Sequence, residues 1–260
     1  MNNILMYAIL ALAAIGAIVG WSNSKKGVAW GQPVTILCAI IAIAIGGYLS
    51  WSNSFGGGQN KSAQAREIEY QKVMTRQLGN YLKEKFSGKK AIIIKDPYTK
   101  EDSPSLVGLN EGLDGAITIV DTIYPEPPKP KGGDPDMEMM DPMETWYTKK
   151  VLEEMMKGKD ADIIITTIGL PMGVGCAGKE FNANCLKGKK VVFAGGSIYE
   201  HGRGFATGCI AAAVTYKPNA EYDEKPVPKD QQAAFDKRFL LVTSDNFAEV
   251  SKTHPDIFQH

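Results

Sequence analysis

Three segments, each directly after a run of apolar residues, carry the residue types that could bind a ligand. Glycine lets backbone N–H groups approach an anion, and arginine adds a two-pronged contact to a carboxylate or phosphate. The same glycines also suit tight turns and close helix-to-sheet packing, so both interpretations stay open. The candidate ligand-binding residues are Asp96, Tyr98, Gly169, Gly173, Gly175, Gly196, Ser197, His201 and Arg203.

Nucleophilic catalysis would need a base beside a serine or cysteine. The nucleophile would be Ser197 or Cys176, and His201 is the histidine inside the predicted domain that could act as its base. Cys176, His201 and Asp96 form a conceivable set, because each follows a predicted strand. No GxSxG motif accompanies them, no GxxxxGK[ST] is present, and no GxGxxG follows the first strand. We therefore predict a non-enzymatic chain with no catalytic residues and no cofactor.

The four cysteines allow few other roles. Cys176 and Cys185 are near enough in sequence to close a loop disulfide in an oxidising compartment, or they are two free thiols. Cys209 lies in an apolar run and is typical of a small buried hydrophobic residue. No cysteine and histidine have zinc spacing, so no metal site is predicted.

Short apolar runs that alternate with helical patterns predict how these segments are held. Continuous Ile and Val runs are typical of strands buried on both faces, and strand–helix alternation indicates a mostly parallel sheet. The fold class predicted is α/β, a three-layer Rossmann-like sandwich. Strands are expected over 91–95, 116–122, 162–168, 190–194, 210–215 and 239–243, and helices over 103–113, 142–157, 202–208, 229–237 and 245–251. Ligands of open α/β sheets bind beyond the strand carboxyl ends, where the candidate residues would meet.

This order of elements resembles one lobe of the type I periplasmic-binding-protein fold. The resemblance is carried by KKAIIIKDP, SLVGLNEGL, ITIVDT, ADIIITTIGLP and KKVVFAGGSIYEHGRGFATG, within residues 89–258. The chain is also similar to a group of bacterial proteins with an N-terminal membrane anchor and a closing segment like FDKRFLLVTSDNFAEV. The resemblance implies an extracytoplasmic location and transfers no catalytic residues. Binding proteins of this type close two lobes on a ligand, whereas this chain has room for one.

The first 60 residues differ from the rest in charge. Their only charged side chains are Lys25 and Lys26, whereas residues 61–260 hold 27 basic and 29 acidic side chains. Apolar stretches over about 4–20 and 33–51 are each near the ~20 residues that cross a bilayer, and the short connection makes them a hairpin. The slight acidic excess of the remainder argues against nucleic acid as a partner.

Small residues recur along both predicted spans. Gly16 with Gly20, and Ala42 with Gly46, are spaced as in helix pairs that approach closely in lipid. They would either form a face for other membrane subunits or for self-association, or pack the hairpin on itself.

The lysine and arginine counts near the helix ends set the orientation. Lys25 and Lys26 in the loop balance Lys61 and Arg66 beyond the second span. Because the loop lysines are closer to the helices, we expect a cytoplasmic loop. This places both termini and the large domain outside the cytoplasm of a bacterium, with two spans in its inner membrane.

The predicted domains are therefore a transmembrane hairpin over 1–54, a glycine hinge and amphipathic helix over 55–88, and an α/β domain over 89–260. Within the last, the proline- and methionine-rich loop 125–142 is predicted to be solvated. The function expected is a non-enzymatic, membrane-anchored subunit or scaffold of a larger membrane assembly, in contact with lipid. The alternative is an extracytoplasmic ligand-binding or sensory module that uses the glycine-rich loops.

Overall fold

The structure, a computed structural model, describes residues 3–54, 58–128 and 142–258. The chain divides into two compact units, Met1–Gln64 and Ala65–His260. Most of the loop predicted over 125–142 lies outside the described residues, as does the glycine hinge at 55–57.

Two helices, α1 (Asn3–Lys25) and α2 (Gly31–Ser54), form the first unit. They run antiparallel, because Gly16 faces Cys38 and Gly20 faces Thr35. A Cβ atom at Gly16 would lie 2.7 Å from Cys38 Sγ, and one at Gly20 would lie 2.6 Å from Thr35 Oγ1. These two glycines therefore pack the hairpin on itself, whereas Gly46 has nothing described within 4 Å.

Among the described residues one helix, α2, is long and apolar enough to cross a membrane by length and composition, over its segment Gly31–Tyr48. Only 6% of this segment is buried, whereas the core helix of a soluble protein would be mostly buried. The apolar part of α1, Ile9–Lys25, has 17 residues and is shorter than the 18-residue segment of α2. The first of the two predicted spans therefore stays a prediction.

The amphipathic pattern predicted over 62–86 corresponds to α3 (Gly58–Phe86), whose apolar positions are buried. Tyr70, Leu78 and Leu82 of this helix belong to one core cluster with Leu109 of α4 (Pro104–Leu113). The predicted helix over 103–113 is thus present, and it packs on α3 and on one face of the sheet.

Glycines set the closeness of α3 and α4. A Cβ atom at Gly112 would lie 2.2 Å from the Arg76 carbonyl oxygen, and one at Gly108 would lie 2.4 Å from that of Lys72. At Gly79 the same atom would lie 2.6 Å from the Leu109 carbonyl oxygen. The two backbones are therefore in direct contact, which no other residue type would allow at these positions.

Six strands of the described residues form the main sheet: β1 (Lys90–Ile94), β2 (Thr118–Ile123), β3 (Ile163–Thr166), β6 (Lys190–Phe193), β7 (Ile210–Tyr216) and β8 (Phe239–Thr243). Their order across the sheet is β2-β1-β3-β6-β7-β8. All neighbours are parallel except β7 and β8, which are antiparallel. The α/β class and the mostly parallel sheet are confirmed.

Alternate residues of β1 point into two separate cores. Ala91 and Ile93 join the cluster that holds α3 and α4, whereas Ile92 and Ile94 join a cluster on the opposite face. Both faces of the sheet are therefore covered, as the continuous isoleucine runs indicated.

The remaining helices differ in part from their predictions. They are α5 (Met143–Trp146), α6 (Lys149–Met155), α7 (Gly202–Ala206), α8 (Gln231–Arg238) and α9 (Phe247–Thr253), with a small hairpin of β4 (Cys176–Ala177) and β5 (Glu180–Phe181). The single helix predicted over 142–157 was wrong, because Thr148 is extended and its hydroxyl accepts from Val151 N, which begins a new helix. The buried ring of Tyr147 occupies the break.

A buried guanidinium connects α3 to the junction of α8 and β8. Arg238, only 1% exposed, lies 3.6 Å above the Tyr70 ring and donates to Glu67 Oε1 at 2.7 Å. Its Nε donates to the Glu221 carbonyl oxygen, and its Cζ also lies 4.7 Å from the centre of the Tyr222 ring. The charge is thus paired, hydrogen-bonded and enclosed by aromatic rings, which offsets its loss of water.

The β2 edge of the sheet carries a charged pair. The Asp121 carboxylate accepts a hydrogen bond from the Lys159 ammonium group. This bond lowers the pKa of Asp121.

Substituting Gly112 with alanine tests the contact of α3 with α4. Alanine favours a helix over glycine by about 1 kcal/mol, but the new methyl group would meet backbone, which cannot move aside. We expect Gly112→Ala to lower the free energy of unfolding by about 1–3 kcal/mol, measured by urea denaturation of the full chain in detergent. Gly175→Ala is the matched control, because a Cβ atom there meets nothing described within 4 Å. Equal stability of the two variants would contradict the close contact.

Candidate functional site

The order of strands places a topological switch point between β1 and β3. The connection after β1 returns to β2 on one side, whereas that after β3 continues to β6 on the other. Connections that leave in opposite directions open a crevice at the strand carboxyl ends, where open α/β sheets bind ligands.

A cavity of about 370 Å³ occupies this crevice. Its lining comes from α3, the loop after β1, the start of α4 and the loop after β3. The lining residues are Gln71, Asp96, Thr99, Ser103, Pro104, Ser105, Leu106, Thr167 and Ile168. This volume is at the small end of the roughly 300–1,000 Å³ of small-molecule sites.

The first turn of α4 contributes hydrogen-bond donors to the cavity. Ser103 is the residue before the helix and Pro104 is its first residue, so the first free N–H groups belong to Ser105 and Leu106. The Ser103 side chain does not cap the helix, and its Oγ is buried with no hydrogen-bond partner among the described residues. The Ser103 hydroxyl is therefore an unused hydrogen-bonding group beside the cavity.

Lys95 holds the loop that carries Asp96. Its side chain is 8% exposed, and its Nζ donates to the Thr99 carbonyl oxygen at 2.7 Å and to Glu101 Oε1 at 2.8 Å. Asp96 Oδ1 accepts from Tyr98 N at 2.6 Å, which tightens the same turn. The loop is therefore ordered by its own contacts, and one carboxylate remains at the cavity wall.

The structure brings only one of the nine sequence-predicted ligand residues, Asp96, into the cavity lining. Its neighbour Tyr98 is 60% exposed. The hydroxyl-bearing residues of the lining were missed, although Ser103 could have been found as the residue preceding a helix that begins with proline. Gln71 gave no signal, since it comes from α3, well before β1 in the sequence.

The two glycine-rich loops lie against each other. A Cβ atom at Gly196 would lie 2.8 Å from Gly169 N, and one at Gly195 would lie 2.6 Å from the Thr167 carbonyl oxygen. The glycines could serve ligand binding or close packing, and at Gly169 and Gly196 the structure shows close backbone packing.

Gly173 and Gly175 are engaged by one side chain. Asn182 Nδ2 donates to the Gly173 carbonyl oxygen at 2.7 Å, and Asn182 Oδ1 accepts from Gly175 N at 3.2 Å. These contacts fix the loop to the small hairpin of β4 and β5.

Ser197, His201 and Arg203 follow β6. Ser197 Oγ accepts from Tyr199 N at 3.4 Å, and the His201 ring lies 5.0 Å from that of Phe193. Burial lowers the pKa of His201, against a smaller opposing effect of Glu200. The imidazole is therefore neutral at pH 7.

No hydrogen bond joins Cys176, His201 and Asp96 within residues 3–54, 58–128 and 142–258. The described geometry thus gives no support to a nucleophile–base–acid set. All four cysteines are free thiols, and Cys176 has the Cys209 thiol beside it. A disulfide between Cys176 and Cys185 stays a prediction.

No group of three or more metal-binding side chains occurs among the described residues.

No protein-family model matches the chain, and no curated protein matches it. Among solved structures it is similar to one titled "Crystal structure of a galactofuranose binding protein", with 13% identity and a TM-score of 0.39. The match covers 72% of this chain and 63% of that one.

Replacing Ser103 tests whether its hydroxyl serves the helix or the cavity. Losing a capping side chain costs about 0.5–2 kcal/mol, and we expect this for Asp230→Ala, because Asp230 Oδ1 accepts from Ala233 N at 2.7 Å at the start of α8. Ser103→Ala should leave stability unchanged or raised, since it removes a buried hydroxyl that lacks a partner. Urea denaturation of both variants measures this. Equal losses would show that Ser103 is a cap.

Proposed function

We propose that the chain is a membrane-attached binding protein that takes a small polar molecule into the cavity between β1 and β3. The observation that carries this proposal is the position of the cavity: a polar crevice at the switch point of the sheet, beside the first turn of a helix. The glycine-rich loops support this site from outside it, because they pack on each other next to Thr167.

The lining favours a ligand with several hydroxyl groups and at most one negative charge. Asp96 is an acceptor, the serines and threonines both donate and accept, and the amides of Ser105 and Leu106 donate. A single anionic group on the ligand would be stabilised at the first turn of α4, away from the carboxylate. Since the Lys95 ammonium group is paired with Glu101, no unpaired lysine or arginine lines the described cavity to hold a second one.

The first unit supports attachment to a membrane. Large apolar side chains of α1 and α2 are exposed, and lipid is the partner that covers such a surface at least cost. We include in the proposal two spans, a cytoplasmic loop at 26–30, and a ligand-binding unit outside the cytoplasm of a bacterium. We also propose that the chain belongs to a group of membrane-anchored bacterial proteins.

A ligand screen by thermal shift tests the binding function. The full chain in detergent is heated with neutral polyols and sugars, monocarboxylates and phosphate monoesters, and a ligand at 100 times its Kd should stabilise the protein by about 2.7 kcal/mol. Asp96→Asn keeps the oxygen that accepts from Tyr98 N but removes the charge, so we expect about tenfold weaker binding, near 1.4 kcal/mol.

Asp102→Asn is the matched control, because Asp102 is exposed on the same loop and does not line the cavity. Equal ligand affinities of the two variants would indicate that the ligand binds outside this cavity. A panel without any stabilising compound would contradict the proposed ligand class.

The role as subunit or scaffold of a membrane assembly, self-association included, stays a prediction. Blue-native electrophoresis of gently solubilised membranes separates it from the binding function. A scaffold subunit should migrate with its assembly, whereas a separate binding protein should migrate as the 28.2 kDa chain with its detergent.

A further inference from the structure

Two cysteines that are distant in sequence have adjacent thiols. Cys176 begins β4, and Cys209 directly precedes β7. Cys209 is buried in one apolar cluster and Cys176 packs against the same cluster, where the two thiols are close enough to affect each other's pKa. The Thr207 hydroxyl lies 3.5 Å from Cys209 Sγ and 3.3 Å from the carbonyl oxygen of Gly204, the residue that faces Cys176 Sγ.

Gly204 in α7 makes room for this contact. A Cβ atom at this position would lie 3.3 Å from Cys176 Sγ and 2.4 Å from Ile210 Cδ1. The absence of a side chain therefore allows the small hairpin to lie against the turn that leads into β7. No group of three or more metal-binding side chains occurs among the described residues, so a metal site does not explain the pair.

We propose that Cys176 and Cys209 are a disulfide-forming pair, oxidised by a disulfide donor, which links the β4–β5 hairpin to the α7–β7 turn. The proposal does not depend on a ligand in the cavity. It differs from the Cys176–Cys185 bridge considered from the sequence, since Cys209, and not Cys185, is the thiol that acts on the pKa of Cys176.

The reaction takes place in two exchanges. The Cys176 thiol loses its proton to solvent, and its thiolate attacks one sulfur of the donor disulfide, which releases a donor thiolate. The Cys209 thiol then loses its proton, and its thiolate attacks Cys176 Sγ and displaces the second donor thiolate. One S–S bond forms in the protein and one breaks in the donor, which is reduced by two electrons and takes up two protons.

Accessibility decides which thiol reacts first. Cys176 is partly exposed, whereas Cys209 is 3% exposed, so a donor reaches Cys176 and the buried thiol resolves the mixed disulfide. Burial raises the pKa of Cys176 and the Cys209 thiol raises it further, while Thr207 and the Arg203 cation lower it by less. Because the thiolate is the nucleophile, oxidation should be slow at pH 7 and accelerate as pH rises.

Peptide mapping of the oxidised full chain tests the pair. The wild-type chain in detergent is treated with oxidised glutathione, its remaining thiols are alkylated, and it is digested with trypsin without reduction. The three cysteines fall in separate peptides, 160–179, 180–187 and 204–229, because trypsin does not cleave before the prolines at 218 and 226. We expect 160–179 linked to 204–229, and the titratable thiols to fall from the four present to the two of Cys38 and Cys185.

Variants and pH supply the controls. Cys185→Ser should leave the bond unchanged, whereas Cys209→Ala should leave a glutathione adduct on Cys176. The rate for the wild-type chain should rise about tenfold per pH unit below the Cys176 pKa, as the thiolate fraction does. A link from 160–179 to 180–187, or glutathione adducts without any internal link in the wild-type chain, would overturn the proposal.

Discussion

Direct contact between backbones is the constraint on which most of this structure depends. It occurs at Gly112 between α3 and α4, at Gly196 between the loops after β3 and β6, and at Gly20 between the two N-terminal helices. In each place a methyl group would meet main-chain atoms closer than 3 Å. Since main chain has no rotamer to change, these positions fix the spacing of the elements on both sides. The position of α4, and with it the first turn that faces the cavity, follows from that spacing.

The glycine contacts set the distances between elements, whereas the buried charge of Arg238 selects which packing of α3 is adopted. Its guanidinium requires Tyr70, Glu67 and the Glu221 carbonyl oxygen in one arrangement, and an alternative packing of α3 would leave it unpaired in an apolar core. An unpaired buried charge costs several kcal/mol. Such a group therefore excludes competing arrangements more than it adds to stability. Lys95 acts in the same way on a smaller scale, because its ammonium group fixes one conformation of the loop beside the cavity.

The sequence predicted what depends on local pattern and missed what depends on distant contacts. The bounds predicted for strand β8 are the observed ones, because its apolar run has a polar residue on each side. The helix predicted over 142–157 breaks where Tyr147 turns into the core and Thr148 begins a second helix. Glycine-rich loops were located correctly at strand ends, but their contact with each other needed the strand order. The cavity needed α3 as well, and no residue near Gln71 indicates that it approaches β1.

The charged pair at the edge of the sheet has a consequence beyond the fold. Among the described residues β2 is an edge strand of the sheet, and the N–H and C=O groups of such an edge can pair with strands of other molecules. Charged groups at an edge disfavour this pairing, because they lose water when another strand covers them, and Asp121 with Lys159 supplies two such groups. The lowered pKa of Asp121 keeps the charge at pH values where an ordinary aspartate is already partly protonated. The salt bridge that joins Lys159 to β2 therefore also disfavours pairing at this edge, and acid that protonates Asp121 weakens both effects.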